Sequence, residues 1–398
     1  MKAFRWFPIV AVMAAIGLVE RTAYAQVTGL GGEASMPHTI GAAAAPAAAP
    51  AATLPPVPAP AAAPGPASAA KAAVAGVAVV QGVQGSDSCP SACNACCAPC
   101  WHAFAEYLVL RPLNEGVEYA VPINGNIVAG QVPAQIGPTG VTDPQFQSGF
   151  RVGFERLLDQ CSSISLTYTY YRNEADDGPV GANTPFVLQS MVFNPSTVDA
   201  ADNVWGSGTA RQITNFNLVD LDYHHNLWNC DCASVNYLVG TRYAQLGQQF
   251  EANFQSIISA STNTNIEFDG LGLRLGLDGE RMIGGGFFFT AQANANFLGG
   301  QFTGSYLQSD SNNAVEATTY WHEARFVTIL ESEVSVGWQS CNGRVRASVG
   351  YLLSDWLNIV KPSDFISSVQ ANQYVGTNKI GDTSLVFDGL KARIEFAW

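Results

Sequence analysis

Cysteine is the residue type in this sequence with the clearest capacity for chemistry, and more than half of the cysteines lie in one short stretch. The stretch CPSACNACCAPCW, residues 89–101, holds five of the nine cysteines of a 398-residue chain. Cysteines at such spacings form disulfides in oxidising compartments or bind zinc. Three interpretations are open for this stretch: disulfides, a zinc site, or partly free thiols.

The N-terminus favours the disulfide interpretation. Lys2 and Arg5 precede a mostly apolar run over 7–19, and AYA at 23–25 matches the small-x-small pattern of a signal peptidase site. The apolar run is too short for a membrane-spanning helix, which needs about 20 residues. We therefore expect residues 1–25 to be a removed export signal and the cysteines to meet oxidising surroundings.

A second candidate for chemistry is DLDYHH, residues 220–225. In a strand, Asp220, Asp222 and His224 would share one face while His225 pointed away, and no further histidine cluster supports a metal site. No G-x-S-x-G nucleophile elbow and no phosphate-binding glycine loop between a strand and a helix occurs. The sequence therefore predicts no catalytic residue, no metal site and no cofactor, and we expect a protein that is not an enzyme.

The elements that position these residues differ sharply along the chain. Residues 26–88 are rich in Ala and Pro, which forbids a continuous helix and predicts a disordered, partly extended periplasmic spacer. The cysteine-rich segment follows at 89–100. Only 13% of the residues are charged and the net charge is −13, a balance that argues against nucleic acid as a partner.

From residue 101 to 398 the apolar residues alternate with polar ones at the two-residue period of β-strands. In LGLRLGL, 271–277, four leucines alternate with Gly272, Arg274 and Gly276. About ten such strands can be counted, within a range of 10 to 14. LQSMVF, 188–193, is a candidate for an additional strand, and 194–203 for a loop that narrows the lumen.

The connections between these strands alternate between long and short. Long connections are expected at 112–144, 174–211, 250–265, 308–319 and 358–383, and short ones at 159–163, 226–233, 282–286 and 340–343. Long loops at one end, short turns at the other and an even strand number are typical of transmembrane β-barrels. We therefore predict an all-β fold, an antiparallel barrel in the outer membrane.

The polar face of each strand should line the lumen of this barrel. The predicted lumen-facing charged residues are Arg151, Glu155, Asp220, Asp222, Arg242, Arg274, Asp278, Glu331, Glu333, Arg344, Arg346, Lys391, Arg393 and Glu395. Side chains of both signs on a lumen wall hold water and bias ion passage.

All nine cysteines fall on the short-turn side of this predicted barrel. The disulfide candidates are Cys89, Cys93, Cys96, Cys97, Cys100, Cys161, Cys230, Cys232 and Cys341. We expect a periplasmic disulfide layer between the N-terminal segment and the turns, with spare thiols for links to neighbouring chains or the cell wall. A zinc site from Cys93, Cys96, Cys97 and Cys100 remains the alternative.

Several blocks of sequence carry a resemblance to a known family. FAEYLVLRP, GFRVGFER, LVGTRYAQL, FDGLGLRLGL and ESEVSVGW, together with their order, resemble the pore-forming outer-membrane proteins typified by the Legionella major outer membrane protein. The resemblance implies a porin surrounded by outer-membrane lipid that passes ions and small polar solutes. The Ala/Pro spacer and the cysteine cluster depart from that family's pattern and leave open a structural role in the envelope, cross-linked through the N-terminal arm.

The last strand ends in LKARIEFAW, with Phe396 and Trp398 on its apolar face. A terminal aromatic on an alternating strand resembles the signal that outer-membrane assembly machinery recognises. The sequence thus predicts that machinery as a further partner.

Overall fold

A computed structural model describes residues 101–125, 132–159, 161–181, 186–197, 203–230, 232–312, 314–372 and 376–398. The predicted signal, spacer and cysteine-rich segment lie outside these residues. In chain order the elements are β1 (Trp101–Leu113), β2 (Glu118–Ile123), β3 (Gly140–Val141), β4 (Gln147–Leu157), β5 (Ser162–Gly181), β6 (Val187–Ser190), β7 (Ser207–Cys230), β8 (Ala233–Gln255), β9 (Ser259–Gly284), β10 (Phe287–Asp310), β11 (Val315–Gln339), β12 (Val345–Ile359), helix α1 (Pro362–Asn372) and β13 (Thr383–Ala397).

Ten of these strands form a closed antiparallel barrel. Their order around the wall is β1-β13-β12-β11-β10-β9-β8-β7-β5-β4, and β4 pairs with β1 to complete the circle. Where the first and last strands meet, the backbone NH of Trp398 donates to the carbonyl of Trp101 at 3.0 Å. Closure leaves no strand edge without a partner. The predicted ten-stranded barrel is confirmed.

Three short strands stand apart from the barrel. β2 pairs with β3 and β6 in a small separate sheet. The predicted extra strand in 188–193 therefore exists in part, as β6, but it pairs with β2 rather than joining the wall. The helix α1 begins at Pro362, whose fixed φ suits the first helical position. No helix among the described residues is long and apolar enough to cross a membrane.

Two of the predicted long loops are wrong. β8 extends to Gln255 and β9 begins at Ser259. In the same way, β10 extends to Asp310 and β11 begins at Val315. Both connections are tight, because the strands carry on pairing where their outward face has already become polar. The long connections at this end of the barrel are therefore β1–β4, β5–β7 and β12–β13. At the other end all connections are short, as predicted.

The outer surface of the barrel carries an apolar belt. Leu271 and Leu273 of β9 point outward and are exposed. Aromatic side chains mark the lower edge of the belt near the short turns, among them Trp101, Trp338 and Trp398. An apolar band edged by aromatic residues is what a lipid bilayer requires of a barrel.

Above the belt the strands β7 to β11 rise well beyond the length of about 10 residues needed to cross a bilayer. In this part the interior is apolar. Phe250, Phe254 and Phe302 are buried there against loop elements and α1. Phe193 in the β6–β7 connection packs on Phe254 with ring centroids 5.0 Å apart. The loop end of the barrel therefore encloses a hydrophobic core.

Candidate functional site: the barrel lumen

The lumen inside the belt is lined by the charged residues that the strand alternation selected. Arg151, Glu155, Asp220, Asp222, Arg242, Arg274, Asp278, Glu331, Glu333, Arg346, Lys391, Arg393 and Glu395 all lie on the inward side of their strands. Arg344 is the exception. β12 begins one residue later, so Arg344 lies in the β11–β12 turn and is exposed.

A first group of ion pairs crosses the lumen from β8 to β11. Arg242 Nε and Nη2 donate to the two carboxylate oxygens of Asp220 at 2.6 and 2.8 Å. Its Nη1 lies 2.8 Å from Glu331 Oε1 of β11. Arg274 Nη1 donates to Glu331 Oε2 at 2.8 Å, and its Nε donates to Asp222 at 3.2 Å. These side chains are almost fully buried, so they fill the lumen at this level.

A second group of ion pairs braces the remaining wall. Arg151 Nη1 donates to Glu333 at 2.7 Å and to Glu106 at 3.1 Å. Arg393 Nη1 donates to the other oxygen of Glu106 at 3.0 Å, and Lys391 is bonded to Glu333. Each buried charge in these two groups thus has an opposite partner, which is the condition under which charges can be kept out of water.

Glu106 is a member of this network that the strand pattern did not single out. Its side chain is fully buried, with both oxygens bonded to arginines. A signal was present in the sequence, since Glu106 alternates with outward Tyr107 in FAEYLVL. Only the strand register shows that Glu106 belongs to the ion-pair network, because its neighbours on the two adjacent strands are Arg151 and Arg393.

Beneath the ion pairs, a cavity of about 400 Å³ occupies the short-turn end of the barrel. Its lining is mixed, with charged groups such as Glu280 and Arg346, hydroxyls such as Ser165, and apolar Leu238 and Phe288. Arg346 and Glu280 are bonded to each other. This part of the lumen is large enough for water and small molecules.

Above the ion pairs, an apolar layer closes the barrel. Phe216 lies 5.0 Å from Phe387 and 5.8 Å from Trp356 between ring centroids, and Tyr171 lies 5.2 Å from Phe216. All four side chains are buried. Between this layer and the ion pairs the remaining cavity is only about 10 Å³, enough for about one water molecule. The described side chains therefore pack closely at this level.

The segment expected to narrow the lumen contributes to the closure where it is described. The backbone NH of Asn194 donates to Gln308 Oε1 of β10 at 2.9 Å, and Asn194 is fully buried. Residues 198–202 of that segment lie outside the described residues. Tyr306 donates its hydroxyl to the carbonyl of Val192 at 2.9 Å. These bonds hold the β6–β7 connection against the inner wall.

The helix α1 closes the same end from another side. Phe365 is fully buried, with its ring 5.9 Å from Trp321 of β11. Gln370 Nε2 donates to the carbonyls of Met191 and Phe193 at 2.7 and 3.1 Å. The helix and the β6–β7 connection are therefore bonded to each other above the lumen.

The acidic and histidine residues of DLDYHH are separated as the period predicts. Asp220, Asp222 and His224 point inward, whereas the ring of His225 packs between Tyr223 and Tyr237, with ring centroids 6.3 and 5.4 Å away. Within the described part of the chain, no group of three or more potential metal ligands has the geometry of a metal site.

The four described cysteines lie at the short-turn end. Cys161 precedes β5, Cys230 ends β7, Cys232 precedes β8 and Cys341 lies in the β11–β12 turn. The other five, and with them the alternative zinc site, lie outside the described residues. The pairing of the nine cysteines stays a prediction.

The family model described as Legionella pneumophila major outer membrane protein precursor matches residues 93–397, as the sequence blocks had predicted. No curated protein matches the chain.

Among solved structures, the outer membrane protease OmpT from Escherichia coli is similar at 9% identity and a TM-score of 0.45, over 75% of this chain and 97% of that one. The toluene transporter TodX of P. putida is similar at 6% identity and a TM-score of 0.31, over 75% and 90%. A Pseudomonas aeruginosa FadL homologue has 6% identity and a TM-score of 0.22, over 75% and 89%.

Proposed function

We propose that this chain, which belongs to the Legionella pneumophila major outer membrane protein family, is a porin with a gate at its loop end. Its barrel lies in the cell outer membrane, surrounded by lipid at the apolar belt. In the proposed activity, water, ions and small polar solutes pass through the lumen by diffusion. The conformation described above is the closed one.

The observation that carries this proposal is the charged half of the lumen with its cavity of about 400 Å³. A lumen wall of both charge signs holds water and acts on passing ions. A barrel that serves only as a scaffold has no need of a cavity lined by Arg346, Glu280 and other charged groups. The composition of the lower lumen therefore favours passage.

The proposed gate is the apolar closure. It consists of the apolar layer, whose side chains belong to wall strands, and above it of α1 and the β6–β7 segment around Phe193, which rest on the wall without being part of it. Movement of these connections, with rotation of Phe216, Trp356 and Phe387, would join the lower cavity to the outside. Opening has to break the bonds from Gln370 and the one from Lys361 Nζ to the carbonyl of Asn114, 2.9 Å long.

A structural role is the second candidate, and the closure itself favours it. The lumen is braced by ion pairs from wall to wall, and the described cysteines gather at one end. In this alternative, the protein is an envelope component linked through its cysteine-rich arm to neighbouring chains or the cell wall.

Single-channel conductance in planar bilayers separates the two candidates. The full-length exported protein, purified in detergent, would be compared with a variant in which Phe216, Trp356 and Phe387 are all alanine. Phe154→Ala, which changes an outward aromatic, is the matched control. We expect rare steps from the unaltered protein and the Phe154→Ala control, and frequent, larger steps from the triple variant.

Silence from all three proteins, with the barrel shown to be folded, would contradict the porin proposal and favour the structural role. In that case, replacing the nine cysteines with serine should weaken the attachment of the protein to the envelope. A porin would still conduct after that replacement.

Membrane insertion provides a separate test of the C-terminal signal. Phe396 and Trp398 are exposed on the outward face of the chain end, where a receptor can reach them. We propose that the assembly machinery recognises them. F396A/W398A should reduce the amount of protein in the outer membrane, whereas an outward substitution in β10, Phe287→Ala, should leave it unchanged.

A further inference from the structure

We propose that Ser165, His224 and Asp278 form a hydrolytic triad in the lower cavity of the barrel and cleave small carboxylic esters there. The three residues lie on β5, β7 and β9, far apart in the sequence, and strand pairing brings their side chains to one wall. This activity goes beyond the passage of solutes and does not depend on it.

The contacts place a hydroxyl, an imidazole and a carboxylate in the order of a nucleophile, a base and an orienting acid, with the first contact at hydrogen-bond distance and the second slightly beyond it. Ser165 Oγ lies 3.0 Å from His224 Nε2. On the other side of the ring, Nδ1 lies 3.7 Å from Asp278 Oδ1. A base within hydrogen-bond reach of a hydroxyl, itself oriented by a carboxylate, is the arrangement that activates serine in unrelated hydrolases.

Asp278 is held in place for this role. Asn236 Nδ2 of β8 donates to its Oδ2 at 2.7 Å. Its Oδ1 is buried and has no hydrogen-bond partner among the described side chains, so it is the oxygen left to face His224. One carboxylate oxygen fixes the orientation and the other remains available to the imidazole.

In the proposed active arrangement, the gap of 3.7 Å between Asp278 Oδ1 and His224 Nδ1 closes to hydrogen-bond distance, which selects the histidine tautomer that catalysis needs. An ionised carboxylate only accepts hydrogen bonds, so the ring proton of neutral His224 is placed on Nδ1, toward Asp278. Nε2 then carries the lone pair and accepts the proton of the Ser165 hydroxyl. The same tautomer serves the Ser-His-Asp enzymes, where the acid orients the imidazole and stabilises the imidazolium.

All three residues face the cavity of about 400 Å³, which sets the size of the substrate. Leu157, Leu238 and Phe288 provide apolar lining for a short acyl or alkyl group. Arginine side chains lie on the same lining, each paired with a carboxylate. The apolar layer prevents entry from above, so the ester enters from the short-turn end.

The reaction balances with water as the sole co-reactant. Ser165 Oγ adds to the ester carbonyl carbon while its proton moves to His224 Nε2. The bond to the leaving alkoxide then breaks, and that oxygen takes the proton from His224. Water next attacks the acylated serine, giving its proton to His224. Collapse of the second intermediate releases the carboxylic acid, and the proton returns to Ser165 Oγ.

Ser163 provides a matched control. It points into the same cavity two residues earlier on β5, but its hydroxyl donates to Glu155 Oε1 at 2.5 Å instead of to a histidine. Ser163 and Ser165 thus share strand, face and solvent access and differ in the partner of the hydroxyl. A difference in their reactivity reports on His224.

The experiment uses the full-length protein, folded in detergent, with a fluorophosphonate probe and p-nitrophenyl acetate. We expect the probe to label Ser165, as located by peptide mass spectrometry, and p-nitrophenyl acetate to be turned over. Ser165→Ala and His224→Gln should each lower kcat at least about 100-fold, and Ser163→Ala should leave kcat within about twofold. Asp278→Asn should lower kcat with little change in KM and in unfolding midpoint, because it disturbs the tautomer and not the fold.

Absence of label on Ser165 in the folded protein would overturn the proposal. So would equal hydrolysis by the Ser165→Ala and Ser163→Ala variants. Conductance measured on the same preparations distinguishes this failure from failure of the porin proposal, since Ser165→Ala removes only a hydroxyl from the wall.

Discussion

The two ends of the β8–β9 hairpin have opposite polarity. Near the short turns, outward Leu273 is exposed and inward Arg242 is buried in ion pairs. Farther up the same hairpin, outward Gln249 is exposed and inward Phe250 is fully buried. The backbone pairing is continuous across the change. One strand pair therefore serves two different environments.

The surroundings of the wall, and not the strand itself, therefore decide which face of a strand is apolar. Inside the bilayer, lipid favours apolar side chains on the outer face of the wall, and the charged side chains lie in the lumen. Beyond the bilayer, water surrounds the wall, and the interior becomes a core like that of a soluble protein. A charged lumen and a closed hydrophobic core thus coexist in one barrel.

The charged half should be most sensitive to loss of one ion-pair partner. Arg242→Met keeps much of the side-chain volume but leaves Asp220 and Glu331 buried without it, and removal of one partner of a buried pair costs about 3–5 kcal/mol. Urea unfolding of the barrel in lipid vesicles, followed by tryptophan fluorescence, measures the free energy of unfolding.

The control for this prediction is the exposed pair of Arg172 with Glu174, 3.3 Å apart. Arg172→Ala should change the free energy of unfolding by less than about 1 kcal/mol, since solvent screens exposed pairs. Equal losses for Arg242→Met and Arg172→Ala would show that burial in the lumen does not strengthen the pairing.

The apolar half should respond to cavities instead. Phe216→Ala removes a ring that touches Tyr171, Trp356 and Phe387, and such a loss in a packed core costs about 3–5 kcal/mol. Hydrogen exchange of amides at the loop end should increase along with the drop in the unfolding midpoint. An increase in hydrogen exchange confined to the short-turn end would contradict the assignment of this layer to the hydrophobic core at the loop end.

The outer face can be tested with a charge above and within the belt. Leu273→Arg places a cation against lipid and should cost about 2–4 kcal/mol. Gln249→Arg makes the same change of charge on the same face above the belt and should stay within about 0.5 kcal/mol. If the two variants lose the same free energy of unfolding, the boundary between the apolar belt and the strand segments above it lies elsewhere.

The smallest expected effect is a pH dependence of the loop end. Burial raises the pKa of Glu115 to about 7 from its ordinary 4.5, against the opposing hydrogen bond from Thr214. The folded state therefore binds the proton more tightly than the unfolded chain. The stability from this group is fully present below about pH 4.5 and is lost as pH rises through about 7.

The loss should be about 1–3 kcal/mol, measured as proteolysis of the loop end between pH 4.5 and 8. Glu115→Gln removes the titrating group and should make the rate of proteolysis independent of pH in this window. A rate that falls with rising pH in the unaltered protein would give the opposite sign and refute the assignment.

The alternation of residues was enough to predict most of the wall. LGLRLGL shows Leu271, Leu273 and Leu275 on one face and Arg274 on the other, because successive side chains in a strand point to opposite sides. Thirteen of the fourteen predicted lumen charges could be placed in this way. Arg344 was misplaced because the period does not say where a strand begins.

The connections were harder to predict. The tips around Ile257 and Asn312 were assigned to long loops because polar residues there break the membrane pattern. The reversal of polarity above the belt, with Phe250 and Phe268 turned inward, has the same two-residue period as a membrane strand. Nothing in the period shows which face meets lipid, water or core.

From the sequence alone, a transmembrane barrel of about ten strands, its family and the faces of most strands could be predicted, because these follow from local periodicity and from the order of blocks along the chain. Only the tertiary structure decided which charges meet across the lumen, that Phe216, Trp356 and Phe387 close it, and that Ser165 meets His224. Those contacts join residues far apart in the chain. They are brought together by strand register and barrel closure, which the sequence of a single strand does not specify.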